Sequence, residues 1–173
     1  LSKASAFHIC EFYKNVFNLK IYGGIFFNHE SERRTSEYVT RKITKSVAKI
    51  FYGKQKKLYL GDLNTKIDWG YARDYVEASY KLTQLKKPDF FVIGSGKAYS
   101  IKYFVKKSFD YVGLNYKKYV FIDKKLIRKN KNKTLVADTR KAKKFFNFKI
   151  KTNLDQLIKI MMENDLKLEK SND

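Results

Sequence analysis

Cysteine and proline each occur once in the chain, as Cys10 and Pro88, histidine occurs twice, and only six of the 38 cationic residues are arginine. A lone cysteine excludes an internal disulfide and any thiolate cluster for zinc, and His8 and His29 without a cysteine partner are too few for a metal site, so no metal is expected. The shortage of arginine argues against a surface built to read base edges through planar forks. No apolar run approaches the roughly 20 residues of a membrane span, and no charged segment followed by an apolar one opens the chain as a signal peptide would. The expectation is a cytoplasmic protein with no membrane contact.

The chain has 173 residues, 43% of them hydrophobic, enough for about one domain with a real core. Its formal charge is +21 at pH 7. Lysine supplies most of that charge and is scattered along the whole length, which suits a solvated surface better than a dedicated polyanion site. A Lys-rich nucleic-acid module stacking bases on the 28 aromatics is the alternative from a different class. No recognisable nucleic-acid motif accompanies it, and most aromatics fall at core spacings, so no specific nucleic acid is expected as a partner. The chain opens at Leu1 without a methionine, already inside a helical pattern, and is expected to be a piece of a longer polypeptide.

Apolar residues recur at helical spacing over 1–17, with Asn18 able to end the helix, and residues 19–27 read as a strand that stops at the polar cluster 28–35. Val39, Ile43, Val47, Ile50 and Phe51 mark a second helix closed by Gly53. A short strand at 57–61, a helix ending before Pro88 and a buried strand at 89–93 follow. Ser100 suits the N-cap of a helix that Gly113 and Leu114 close, one short strand lies at 119–122, and Asp138 caps a short helix. Asn153 and Gln156 form a capping box for a last helix, after which 169–173 reads as a tail. The alternation is that of an α/β protein with an incomplete sheet, whose missing strands are expected upstream.

Ligands of open α/β sheets gather at the carboxyl ends of strands, so residues 28–34 (NHESERR), which follow the first strand directly, are the leading candidate site. Ser2 and Lys3 at a helix start resemble the second half of the Tyr-x-x-x-Lys signature of short-chain dehydrogenase/reductases. The stretches FFNHESERR, YVTRKITKSVAKI and KLYLGDLNTKIDWGYARDYVEA, in that order and spacing, resemble the GDP-mannose 4,6-dehydratase family. The likeness continues through DFFVIGSGKAYSIKYFV and VADTRKAKKFF, so it covers nearly all of the chain.

That resemblance implies the carboxyl-terminal part of a Rossmann-type NAD(P)-binding domain (residues 1–27 and 71–96) with a small α/β nucleotide-sugar-binding part (28–70 and 97–168). It implies NADP as cofactor and GDP-mannose as substrate in a homo-oligomeric dehydratase, a lyase, of nucleotide-sugar metabolism on the route to GDP-fucose. Lys3 would bond the nicotinamide ribose and lower the pKa of the family's tyrosine, His29 and Arg34 would contact NADP, and Asn28, Lys42 and Arg128 would lie near the diphosphate and sugar. The family's catalytic Tyr, Thr and Glu would lie upstream of Leu1, so the chain alone is expected to be inactive. Three departures stand out: Ile67 replaces an arginine of the family pattern, Glu32 replaces a proline, and KNKNK follows Arg128 where the family has proline and then an apolar and acidic run. The Ile67 change keeps another nucleotide-sugar epimerase or dehydratase as an alternative.

Overall fold

The computed structural model describes residues 1–127 and 134–171. It is an α/β fold in which α1 (Ser2–Val16) leads to β1 (Gly23–Phe26) and β2 (Asn28–Glu30), and α2 (Val39–Phe51) to β3 (Leu58–Leu60) and β4 (Lys66–Tyr71). Then come α3 (Ala72–Thr83), β5 (Phe90–Ile93), β6 (Ala98–Ser100), α4 (Ile101–Tyr111), β7 (Val120–Ile122), α5 (Arg140–Phe146) and α6 (Leu154–Lys170). Among the described residues no helix is long and apolar enough to cross a membrane.

The strands form three small sheets among the described residues: β1 parallel to β5, β2 parallel to β4 with β6 antiparallel on its other side, and β3 parallel to β7. Two hydrophobic cores lie between them and the helices. The larger joins Ile43 and Val47 of α2, Leu58 and Leu60 of β3, Trp69 of β4, Phe104 and Phe109 of α4, and Leu157 and Met161 of α6. The smaller joins Tyr75 and Leu82 of α3 to Phe91 and Ile93 of β5, with Ala142 of α5 and Phe148 beside them.

Helix ends follow their local chemistry. Gly53 (φ +74°) and Gly113 (φ +70°) close α2 and α4 in the left-handed conformation. In each case the glycine amide and the amide after it bond back to carbonyls of the last turn, Gly113 to Asp110 at 3.1 Å and Leu114 to Phe109 at 3.0 Å for α4. Ser100 accepts from the Tyr103 amide, and Asn153 and Gln156 form the reciprocal capping box of α6. Asn18 ends α1 with φ +53°.

Several boundaries depart from the sequence reading. The first strand begins only at Gly23, and residues 28–30, read as loop, are strand β2 because their backbone pairs with Trp69, Gly70 and Tyr71 of β4. Strands β4 and β6 were not anticipated. Asp138 stands one residue ahead of the N-cap Thr139, although its Oδ1 does accept from the Arg140 amide at 3.1 Å. The final helix runs through Leu168 to Lys170, with the Glu169 side chain buried and its carbonyl accepting from Lys54 Nζ at 2.7 Å.

Candidate functional site

The chain leaves the β1–β5 sheet at Phe27 and enters the β2–β4 sheet at Asn28. The Phe27 amide still bonds Ile93 of β5 at 2.9 Å, while its carbonyl accepts from His29 Nδ1 at 2.9 Å. A carbonyl can only accept, so Nδ1 is the donor of this bond and Nε2 is the ring nitrogen that remains outside it. The His29 ring lies 5.3 Å from that of Tyr75 and 6.0 Å from that of Phe26. Tyr75 is buried, its hydroxyl donates to the Asn28 carbonyl at 3.4 Å, and burial with Asp68, Asp74 and Glu30 nearby holds its pKa well above the usual tyrosine range. Asn28 itself is exposed, and its side-chain amide donates to the Asp68 carbonyl at 3.3 Å.

Glu30 turns inward from the end of β2. Its Oε2 accepts from the Thr40 hydroxyl at 2.6 Å and lies 3.4 Å from Arg34 Nε. Burial raises the Glu30 pKa, opposed by Thr40, Arg34 and His29. The Arg34 guanidinium sits 3.4 Å over the ring of Tyr38, and its Nε is buried without a hydrogen-bond partner. Arg33 beside it is exposed. Glu32 lies 3.5 Å from the Tyr71 hydroxyl.

Asn28 and His29 of β2 and Arg34 in the turn after it therefore share one segment, which begins where β1 ends, and the half-buried Lys42 follows on α2. Lys3 stands apart on the first turn of α1, exposed and without a side-chain bond to any of them; α1 meets the rest of the fold where Phe7 packs edge-on against Phe90 of β5 at 4.8 Å. Arg128 lies outside the described residues. Ile67 faces Tyr99 across the antiparallel β4–β6 pair and packs against the larger core, whereas Lys66 is exposed.

Three groups that shape the site were missed from the sequence. Asp68 is buried, and its carboxylate accepts from the amides of Ser95, Gly96 and Ala137 and from the Ser95 hydroxyl, tying β4 to the turn after β5 and to the segment before α5. Arg41 of α2 and Asp165 of α6 form a buried ion pair, and Arg41 Nε also donates to the Arg34 carbonyl at 3.1 Å. The available signal was a charge at a core-facing position of an otherwise apolar helical stripe: Leu157, Ile158, Met161, Asp165 in α6, and Arg41 beside Ile43, Thr44 and Val47 in α2. A groove of about 380 Å³ lined by Trp69, Ser95, Lys97, Tyr99 and the start of α6 contains none of the candidate residues.

Comparison with known proteins places these features in context. A family model described as GDP-mannose 4,6 dehydratase matches residues 1–161. GDP-mannose 4,6 dehydratase 1 of Arabidopsis thaliana is 41% identical over 169 residues, covering 98% of this chain and 47% of the relative. The Homo sapiens GDP-mannose 4,6 dehydratase is 37% identical over 188 residues, covering 99% of this chain and 50% of the relative. The chain thus spans about half the length of the curated relatives it matches. Among solved structures, RMD from Pseudomonas aeruginosa complexed with NADPH superposes with a TM-score of 0.88 at 15% identity, covering 96% of this chain and 55% of that one. The dTDP-glucose 4,6-dehydratase of Bacillus anthracis in complex with NAD gives 0.81 at 20% identity, covering 99% of this chain and 51% of that one. At those identities the likeness is one of fold.

Proposed function

The chain belongs to the GDP-mannose 4,6-dehydratase family, and we propose that it is the carboxyl-terminal half of such an enzyme, converting GDP-mannose to GDP-4-keto-6-deoxymannose with NADP. The observation that carries this reading is the family match over residues 1–161 in a chain about half as long as its relatives. In the same reading the β1–β5 sheet with α1 and α3 is the remainder of the cofactor domain, divided at 1–27 and 71–96, and the larger core supports the sugar-nucleotide part.

NADP supplies the hydride acceptor and donor for oxidation at C4 of the sugar and reduction at C6, with water lost across C5 and C6 between them. Its fit to this chain rests on Arg34: a planar cation already stacked on Tyr38 and ion-paired through Nε with Glu30 loses little further freedom when its remaining N–H groups meet a phosphate. His29 is oriented by the Phe27 carbonyl and presents Nε2 to the cofactor. Lys3 bonds the nicotinamide ribose and favours the ionised form of the family's tyrosine by charge. Asn28, Lys42 and Arg128 bind the sugar nucleotide.

The proposal is tested by joining this chain behind the amino-terminal half of the Arabidopsis relative and assaying GDP-mannose consumption. The joined protein is expected to turn over GDP-mannose with NADP, and the chain alone is expected to show no turnover. Turnover by the chain alone, or none by a folded joined protein, overturns the reading. The packing of Ile67 into the core favours examining a second sugar nucleotide. Melting of the joined protein with GDP-mannose, UDP-glucose and dTDP-glucose ranks the three, since the specific ligand stabilises by mass action.

A further inference from the structure

From the far end of the chain, Asp165 reaches the loop that carries Arg34. It projects from α6 with 1% exposure, and its Oδ1 holds Nη1 of Arg41, itself 6% exposed on α2. Arg41 then extends Nε to the Arg34 carbonyl at 3.1 Å. The partners are 124 residues apart, so nothing local imposes the pair. A buried ion pair is a poor device for stability alone, because well-packed apolar residues of similar volume serve as well or better. The cost is visible here, since Asp165 Oδ2 is buried without a hydrogen-bond partner. What apolar residues could not supply is a donor to a loop carbonyl.

We infer that Asp165 is a positioning residue, fixing Arg41 so that its Nε anchors the Arg34 backbone and presents the Arg34 guanidinium, held between Glu30 and Tyr38, to its anion. The carboxyl-terminal helix thereby sets the geometry of a loop at the opposite end of the sequence. The loop anchor stands on the hydrogen bonds above; that the anion is the cofactor's phosphate rests on the function proposed for the site.

Asp165→Asn leaves the Arg41 charge buried and risks unfolding, so the informative variant is the double substitution Arg41→Met with Asp165→Leu, which removes both charges at similar volume. The first arm uses the chain itself, with native-state trypsin cleavage after Arg33 and Arg34 followed by mass spectrometry. Cleavage after Lys86, exposed in the segment that follows α3, is the control. The double variant is expected to melt no lower than wild type, to be cut at least tenfold faster at Arg33 and Arg34, and to be unchanged at Lys86. Unchanged cleavage in the loop, or equal acceleration at Lys86, overturns the inference. In the second arm, the KM of the joined enzyme for NADP is expected to rise about tenfold with kcat retained. A loosened loop with no change in that KM upholds the anchor and sinks the cofactor assignment of Arg34.

Discussion

Asp68 Oδ2 and the Ala137 amide are joined by a 3.0 Å hydrogen bond across 69 residues of sequence, and the same carboxylate accepts from Ser95 and Gly96. One buried side chain thus closes β4, the turn after β5 and the segment before α5 into a unit, directly beside Asn28.

Replacing Asp68 by Asn tests that closure. The amide keeps one acceptor oxygen and turns its NH2 toward two of the donors, leaving buried N–H groups unsatisfied at about 1–3 kcal/mol each. Urea unfolding of Asp68→Asn is expected to show a loss of about 3 kcal/mol or more. A loss below about 0.5 kcal/mol, within the range of a surface substitution, would contradict the role given to it.

These relationships explain what was legible in the sequence. Helices whose signals are local were readable: the apolar stripe of α2, the glycine closing α4, the capping box of α6. Strand β2 was not, because the residues Asn28, His29 and Glu30 are polar and become a strand only by pairing with β4. Strand β4 escaped for a related reason, its Asp68 and Gly70 being poor strand formers made acceptable by partners far away in sequence. At the candidate site the NHESERR segment was evident as a cluster of polar groups, but the inward turn of Glu30 is a tertiary contact, and helical spacing marks Arg41 and Asp165 only as core-facing charges, not as each other's partner.

The buried Glu30 gives a pH dependence of unusual sign. Burial raises its pKa in the folded state, so the native protein binds that proton more tightly than the unfolded chain. The resulting stability is fully present below the unfolded carboxylate value, near about 4.3, and is lost as pH rises through the folded value. Asp165, raised by burial as well, acts in the same direction. Glu30→Gln removes the titration and keeps an acceptor for the Thr40 hydroxyl. Its stability relative to wild type, by urea unfolding, is expected to improve steadily from pH 4 toward neutrality. A difference independent of pH would refute this assignment.

Gly61 lies against the backbone of Leu126 and Ile127. A Cβ at this position would lie 2.6 Å from the Leu126 carbonyl oxygen and 3.0 Å from its carbon, both backbone atoms that no side-chain rotation can move. Gly61→Ala therefore displaces the backbone of Leu126 and Ile127, at about 1–3 kcal/mol of overpacking strain. In the joined enzyme the KM for GDP-mannose is expected to rise more than that for NADP. An equal rise in both would mean a general loosening instead.

Charge and shape can be separated at Arg34. Lysine at this position keeps the positive charge but loses the planar group that lies 3.4 Å over Tyr38 and the forked geometry suited to two parallel bonds with a phosphate. Arg34→Lys in the joined enzyme is thus expected to weaken NADP binding nearly as much as Arg34→Ala, by about tenfold, one good charge-assisted hydrogen bond being worth roughly 1.5–3 kcal/mol. The ring should matter only through the guanidinium. Tyr38→Ala is expected to weaken NADP binding several-fold in the Arg34 background, consistent with the roughly 0.5–2 kcal/mol of a cation over an aromatic face, and to have little further effect once Arg34 is Lys. A double-mutant cycle on the NADP dissociation constant measures this coupling directly. Additive losses would show that Tyr38 touches the cofactor on its own account, and full activity in Arg34→Lys would reduce the site to a point charge.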